Sequence, residues 1–336
     1  MGKYIIKRLL NGLIVLLGVV TITFFITRVI PTDVAGKWAG ERATEEQRQQ
    51  AIEELGLDQP LATQYVNYLK DLISGDLGRS LRTKEPITKE LAAYFPATLE
   101  LVLIGFIFAL IIGIPLGIYS AKKSGKMLDH ASRFFSIGAV SLPTFWVAMI
   151  FQLVFYRMLN WLPLGGRMSI NATLFYEMPH VTGMLILDCI LTGSWGLLGD
   201  AFVHIILPGI TIALYPIGLV TRMTRSALLE ILNEDYIIAA KSYGIKDRVV
   251  LWSYALKNSL GATATVVALS MGYTLTNTFL TETIFSWPGL GSYVSKSVIS
   301  LDYPAIMGIA IISAIFYVVL NLIADIIIAL DPRIRL

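Results

Sequence analysis

Charge and cysteine are both scarce in this chain. Only 15% of its 336 residues are Asp, Glu, Lys or Arg, and Cys189 is the single cysteine. One thiol cannot form an intramolecular disulfide, and it excludes a metal site built from several thiolates. The formal net charge of +3 is too small to indicate a nucleic-acid partner. We therefore expect no disulfide framework, no metal site and no nucleic-acid binding.

The usual catalytic motifs are also missing. Gly36-Lys37 and Gly125-Lys126 lack the hydroxyl residue that completes a phosphate-binding Gly-x4-Gly-Lys-Ser/Thr loop. Neither His-Glu-x-x-His nor Gly-x-Ser-x-Gly occurs, which disfavours a metalloprotease or a serine hydrolase embedded in the membrane. We predict no catalytic residue and no cofactor bound by this chain itself.

Apolar residues dominate what is present. They form 55% of the chain, and the mean hydropathy is +0.67, above the range of an ordinary soluble domain. A membrane span needs roughly 20 mostly apolar residues, and six stretches approach that length. The predicted fold class is therefore an all-α integral membrane protein with six transmembrane helices, at about Leu9–Ile26, Ala97–Ala121, Ala131–Leu159, Phe202–Met223, Leu260–Phe285 and Pro304–Leu330.

The spans divide the chain into three predicted regions. Residues 1–30 form an N-terminal anchor, because the exit Thr27–Pro31 lacks the small-residue pattern of signal-peptide cleavage. Residues 31–95 form a small polar region with helices at Glu45–Leu55 and Leu61–Ile73. Residues 96–336 form a five-span core, in which Pro143 is a tolerated break and Met184–Leu191 is an interfacial or re-entrant segment. In the second span, Gly113 and Gly117 should let another helix of the same bundle approach closely.

The distribution of lysine and arginine predicts the orientation, since short cytoplasmic loops collect these residues. One side of the six-span arrangement receives most of them, and the short loops of the other side hold little beyond Arg157, Arg167 and Lys296. The basic side should be cytoplasmic, with both termini on it and residues 31–95 outside. The basic side holds Lys3, Lys7, Arg8, Lys122, Lys123, Lys126, Arg133, Arg222, Arg225, Lys241, Lys246, Arg248, Lys257, Arg333 and Arg335.

The cytoplasmic loop at about 226–258 has helical features. Glu234 and Asp235 stand where negative charge suits a helix start, and the helix should continue over Tyr236–Tyr243. Gly244 is placed to end it in a left-handed conformation, and a second helix should follow over Lys246–Leu256. Small Ala239 and Ala240 would permit close contact with another surface. An ordinary solvated hairpin is the alternative interpretation.

This loop resembles the signature of ATP-binding-cassette importer permeases, Glu-Ala-Ala, three residues, Gly, nine residues, Ile, one residue, Leu-Pro. Ala239, Ala240, Gly244 and Leu256 match it, while Ile238, Tyr254 and Lys257 replace its Glu, Ile and Pro. Further motifs resemble, in order and spacing, the dipeptide, oligopeptide and nickel permease family. They are Gly56–Pro60, Gly75–Ser80, Phe285–Gly291, Asp302–Pro304 and Leu330–Arg335. The large segment after the first span resembles the first of that family's two permease subunits.

The resemblance implies a fold of the type I importer kind in the inner, cytoplasmic membrane. It also implies a second permease subunit, two ATP-binding subunits that hold ATP and Mg, and an extracytoplasmic substrate-binding protein. The loop would dock on an ATPase. The residues expected to carry this coupling are Glu234, Asp235, Tyr236, Ala239, Ala240, Gly244 and Leu256. Peptide is the expected substrate, and oligosaccharide or nickel remain alternatives.

Polar residues recur at helical spacing in the fifth span, and they are candidates for the translocation path because polar groups facing lipid are costly. Hydrogen bonds that hold helices together are the alternative. The candidates are Met271, Thr274, Asn277, Thr278 and Thr281, followed by Glu282.

Trp287, Pro288 and Gly289 follow the fifth span. They suggest first an aromatic anchor at the membrane interface and a turn, and alternatively a contact with the binding protein or an outer gate. In the sixth span Asn321 and Asp325 lie on adjacent turns, and they should make a polar contact between helices, with a proton relay as the alternative.

A self-contained secondary transporter is the competing function from another class. Such proteins show repeated halves and interrupted helices, whereas this chain has six predicted spans without that symmetry.

Overall fold

The computed structural model describes residues 2–29, 33–40 and 42–329, and these residues are helical throughout apart from loops and one isolated bridge between Arg79 and Pro86. Two π-helical turns, Gln152–Met158 and Val250–Leu256, extend α7 and join α12 to α13. The helices are α1 Gly2–Val29, α2 Val34–Ala39, α3 Glu45–Glu54, α4 Leu61–Ser74, α5 Ile87–Lys122, α6 Met127–Ser141, α7 Thr144–Phe151, α8 Ile170–Phe175, α9 Leu185–Thr192, α10 Trp195–Leu232, α11 Asp235–Ser242, α12 Asp247–Val249, α13 Lys257–Ile284, α14 Leu290–Ile299 and α15 Tyr303–Ala329.

Four of the described helices are long and apolar enough to cross a membrane, and the bent pair α6 and α7 could supply a fifth span. The four are α1, α5, α10 and α15. The predicted fifth span corresponds to α13, which is 28 residues long but less apolar because threonine and serine recur along it. The all-helical membrane architecture is thus present, and the sixth span stays a prediction.

Pro143 divides the predicted third span more sharply than expected. α6 ends at Ser141, α7 begins at Thr144, and the two helices meet at a bend of 106°. Proline lacks the backbone N–H and pushes the preceding residue out of helical geometry, and Leu142 has an extended ψ of 135°. The bent pair is either one broken span or a re-entrant loop, and a single third span interrupted at Pro143 stays a prediction.

A row of small residues on α5 sets its contact with α10. A Cβ added to Gly113 would lie 2.9 Å from Val220 Cβ, and one added to Gly117 would lie 2.6 Å from Thr224 Cβ and 2.8 Å from the carbonyl oxygen of Thr221. Only glycine leaves room for helices this close. The predicted close approach between helices of one bundle is confirmed.

The polar region contains both helices predicted for it. Thr44 caps α3 with a reciprocal pair of hydrogen bonds to Gln47, and Gly75 ends α4 in a left-handed conformation. Elsewhere, α1 packs on α15, and Arg8 pairs with Asp325 at 3.0 Å. The predicted inter-helix contact is therefore confirmed for Asp325, whereas the Asn321 side chain donates to the carbonyl of Tyr317 in its own helix at 2.9 Å.

Candidate functional site

The loop helix α11 follows α10 and precedes α12 along the chain. Glu234 precedes it in extended backbone, and Asp235 stands in its first turn. The chain then turns at Gly244, whose φ is +77°, and the backbone N–H of Ile245 donates to the carbonyl of Ala240 at 3.2 Å. The predicted left-handed helix end at Gly244 is confirmed.

The two faces of α11 differ in burial. Ile237 is 0% exposed and Ala240 is buried, and both pack against Ile118 of α5 and Leu228 of α10. The other side chains are exposed, and they include the apolar and aromatic Tyr236, Ile238, Ala239 and Tyr243 as well as the polar Asp235, Lys241 and Ser242. The loop is therefore a helix anchored through one face, with a mixed apolar and polar surface left exposed.

The second predicted loop helix, Lys246–Leu256, is not a separate element. α12 continues through the π-helical turn Val250–Leu256 directly into α13. Lys257 stands where the signature has proline, so no helix breaker separates the loop from the fifth span. Leu256 packs in the same cluster as Ile237 and Ala240, which links α11 directly to the start of α13.

An ion pair that the sequence did not reveal lies near this loop. Arg225 of α10 donates through Nε and a terminal nitrogen to the two carboxylate oxygens of Asp129 on α6, at 2.6 and 2.9 Å. Ser120 Oγ and the backbone N–H of Gly125 also donate to this carboxylate. Asp129 is buried, and a bidentate pair of this kind fixes both distance and orientation. The only signal in the sequence was an acid inside a basic loop.

The structure divides the polar stripe of the fifth span. Thr274, Thr278 and Thr281 are buried on one side of α13, whereas Asn277 is exposed beside Tyr273. The hydroxyls of Thr274 and Thr278 donate to backbone carbonyls of their own helix, at 2.8 and 2.7 Å. The hydroxyl of Thr281 is buried without a hydrogen-bond partner. The side chain of Met271 lies outside the described part of the chain.

Two cavities border this stripe. A narrow one between α10 and α13 is lined by Tyr215, Tyr273, Thr274 and Asn277. A larger one of about 380 Å³ is lined by Thr278 and by apolar residues of α1 and α15, such as Val19 and Ile309. Of the described candidates, Thr274 and Asn277 therefore border one cavity and Thr278 borders the other.

Trp287 is inside the bundle and is not an interface anchor. Its side chain is 1% exposed, and its indole N–H donates to the carbonyl of Ala97 on α5 at 2.8 Å. Of the three motif residues, only Pro288 is exposed. The motif thus joins the end of α13 to α5, and the indole itself cannot contact an external partner in this conformation.

Gly289 lies close to the buried carboxylate of Glu282. Glu282 is 0% exposed, and it accepts hydrogen bonds from Thr98 Oγ1 at 2.7 Å and from the N–H of Gly291 at 2.6 Å. A Cβ added to Gly289 would lie 2.4 Å from both Glu282 Oε2 and Thr98 Oγ1. A side chain at position 289 therefore has no room. Glu282 is hydrogen-bonded to Thr98 of α5, a contact that the sequence pattern did not indicate.

A second buried carboxylate lies next to the tryptophan. Arg167 pairs with Glu100 at 2.6 Å, and its guanidinium lies 5.7 Å from the centre of the Trp287 ring. Glu100 also accepts from the N–H of Ile186 at 2.6 Å. The loop before α9, α5 and the α13–α14 turn are thus tied together at this end of the bundle.

Asp188 orders the same loop. Burial acts to raise the pKa of this carboxyl, but hydrogen bonds from the Thr182 side chain and from the N–H groups of Val181, Thr182 and Gly183 outweigh it and lower the pKa. The carbonyl of Gly183 in turn accepts from Arg167 at 3.1 Å.

Comparison with known proteins gives matches along the whole chain. Residues 113–336 match the family described as binding-protein-dependent transport system inner membrane component, and residues 1–102 match the N-terminal part of such membrane components. The chain is 43% identical over 330 residues to a probable D,D-dipeptide transport system permease protein of Escherichia coli, covering 98% of this chain and 96% of that protein.

Two further relatives align with this chain over the full length of both proteins. A dipeptide transport system permease protein of Alkalihalophilus pseudofirmus is 40% identical over 336 residues, with 100% of each chain covered. An oligopeptide transport system permease protein of Bacillus subtilis is 35% identical over 337 residues, also with 100% of each covered.

Proposed function

Because the chain belongs to the family of inner membrane components of binding-protein-dependent transport systems, we propose that it forms half of the peptide pathway of an ATP-binding-cassette importer. Its full-length relatives carry the names of dipeptide and oligopeptide permeases, and the sequence motifs favour the same branch. Oligosaccharide and nickel are the alternative substrates within this architecture.

The exposed face of α11 carries the proposal. Tyr236, Ile238 and Tyr243 expose apolar and aromatic surface. The buried side of the same helix packs in the core and holds it in place. Exposed apolar patches of this kind mark interaction sites. We assign this face as the contact with the ATPase, with Glu234, Asp235, Ala239 and the turn at Gly244 at its borders.

The buried face of α11 supplies the transmission. Ala240 and Leu256 lie in one cluster with residues of α5, α10 and the start of α13. Closure of an ATPase dimer against α11 would therefore move these helices together as a rigid body. The chain contributes conformational coupling, and its partners bind ATP and Mg and hydrolyse the nucleotide.

The translocation path is assigned to the side of α13 that carries Met271, Thr274, Asn277, Thr278 and Thr281. The cavities beside Thr274 and Thr278 support this assignment, because a movement of α13 against α10 or α15 would enlarge them. Hydroxyl and amide groups without clustered charge suit a permissive passage for peptides better than a site for a bare metal ion.

The turn Trp287–Gly289 is assigned to the outer gate. It connects α13 to α5 through Ala97 and Thr98, so α13 cannot tilt away from α5 without breaking these contacts. Pro288, the exposed residue of the three, is the point where a substrate-binding protein could press on the gate.

The membrane arrangement follows from the charge distribution. We propose six spans with both termini in the cytoplasm, formed by an anchor of residues 1–30 and a five-span core of residues 96–336. Residues 31–95 lie outside as a lid over the mouth. A second permease subunit, two ATP-binding subunits and an external binding protein complete the importer.

Reconstitution tests the proposed function. The chain is co-expressed with its second permease and two ATPase partners, inserted into liposomes, and assayed for uptake of a labelled dipeptide in the presence of the binding protein. Uptake that requires ATP supports the proposal. Uptake by the isolated chain driven by an ion gradient without ATP contradicts it. Uptake of an oligosaccharide or of Ni²⁺ without uptake of peptide shows that the substrate is not a peptide.

A further inference from the structure

The helix α4 of the polar region has an apolar side that the protein only half covers. At 100° per residue, its apolar side chains occupy one arc of less than half the circumference, and none of them is fully buried. The members of the arc are Leu61, Ala62, Tyr65, Val66, Leu69, Leu72 and Ile73. An ordinary helix of a water-soluble region would bury such a face.

One edge of the arc is held by α1. Tyr65 Oη and Thr21 Oγ1 are 2.6 Å apart and share a hydrogen bond. The ring of Tyr65 lies 5.1 Å from the ring of Phe24 and 6.0 Å from that of Phe25, and the ring of Tyr68 stacks on Phe24 at 5.6 Å. α4 therefore contacts α1 through Tyr65 and Tyr68.

The contact fixes the depth of α4. Thr21 lies inside the apolar stretch Ile5–Arg28, about 10 Å before Arg28 at 1.5 Å per residue. A helix that contacts α1 at Thr21 and Phe25 cannot stand clear of the membrane in which α1 is embedded. It must lie near the boundary between the acyl chains and the headgroups.

The other edge of the arc points away from the protein. Val66, Leu69 and Ile73 lie roughly 40° to 100° around the helix from Tyr65; Val66 is 48% exposed and Ile73 is 88% exposed. Where α1 contacts Tyr65 it also exposes apolar side chains, namely Ile22 and Phe25.

The remaining circumference of α4 is polar. Thr63, Asn67, Lys70 and Ser74 share the side opposite to Tyr65, and Lys70 stands next to Val66 around the helix. A lysine at the rim of an apolar arc can extend its ammonium to the headgroups. Tyr65 and Tyr68 are of the residue type that gathers at membrane interfaces.

We propose that α4 is an amphipathic helix that lies in the lipid interface at the end of α1, with Val66, Leu69 and Ile73 among the acyl chains. The occupant of its uncovered face is lipid, because that face continues the lipid-facing side of a membrane span. The helix anchors the polar region to the membrane surface, and its contacts with Thr21 and Phe24 of α1 place it at that depth.

Site-directed spin labelling tests the proposal in the assembled importer in nanodiscs. Cys189 is buried, so a single added cysteine at Val66 or Ile73 can be labelled selectively, and Asn67→Cys and Thr63→Cys are the matched controls on the polar side. We expect labels at Val66 and Ile73 to collide several-fold more with oxygen, which dissolves in lipid, than with a water-soluble nickel chelate. The controls should show the reverse.

Two outcomes would overturn the proposal. Equal access of the nickel chelate to positions 66 and 67 would place the face in water. Protection of position 66 from both reagents would place it under a partner protein. Neither outcome depends on transport, which is measured separately on the same variants.

Discussion

Ser80 donates a hydrogen bond through its hydroxyl to the carboxylate of Asp302, 222 positions further along the chain. The backbone N–H groups of Leu81 and Arg82 donate to the same carboxylate at 3.0 and 3.2 Å, and Asp302 is fully buried. Two of the motifs that suggested the family, Gly75–Ser80 and Asp302–Pro304, thus meet at one carboxylate. This contact attaches the polar region to the start of α15.

Replacement of Asp302 should loosen the polar region. Asp302→Ala leaves Ser80 Oγ, the buried N–H of Leu81 and the part-buried N–H of Arg82 without their acceptor, and an unpaired buried group costs about 1 to 3 kcal/mol. We expect a lower unfolding temperature of the purified importer and faster proteolysis within residues 42–86. Ser80→Ala should have a smaller effect, and exposed Asp58→Asn serves as the control. Unchanged proteolysis of Asp302→Ala would contradict the anchoring role.

A methyl group at position 289 should disrupt the outer end of α13. Gly289→Ala places a Cβ against the Glu282 carboxylate and the Thr98 hydroxyl, so one of these buried groups must move and lose a hydrogen bond. We predict a destabilised chain and reduced peptide uptake. Gly199→Ala is the matched control, because nothing lies within 4 Å of a Cβ added there. Equal uptake by the two variants would argue against a gate at this turn.

Two neighbouring isoleucines of α11 should behave differently. Ile237 is 0% exposed and Ile238 is 53% exposed. Ile237→Ala removes core packing and should lower the free energy of unfolding by about 2 to 5 kcal/mol. Ile238→Ser should leave stability nearly unchanged but weaken co-purification with the ATPase and reduce transport-coupled ATP hydrolysis. If Ile238→Ser retains full coupling, the exposed face is not the docking surface.

The Asp129–Arg225 pair should show strong coupling in a double-mutant cycle. Arg225→Met alone leaves a buried carboxylate uncompensated, at a cost of about 3 to 5 kcal/mol. Adding Asp129→Asn should recover part of that loss, because the unpaired charge is then removed. Thermal unfolding of the single and double variants measures the interaction free energy. Additive effects would show that the pair does not hold α6 against α10.

Local features of the chain were predictable because they depend on neighbours in sequence. Composition indicated the lipid solvent, and the charge around Glu234 and the glycine at 244 predicted the ends of α11. The small residues Gly113 and Gly117 predicted a close helix contact. The predictions about α11 and about Gly113 and Gly117 rely on residues within a few helical turns of one another.

The amino-acid sequence by itself determined that this is a helical membrane protein, where its loop helix ends, and which family it belongs to. Only the tertiary structure decided that Asp302 pairs with Ser80, that Trp287 is buried, that Pro143 bends the chain, and that Asn277 is exposed whereas Thr274, Thr278 and Thr281 are buried. Those outcomes depend on how distant helices are rotated and packed against each other. Helical periodicity records which residues share a face, but it does not record what that face meets.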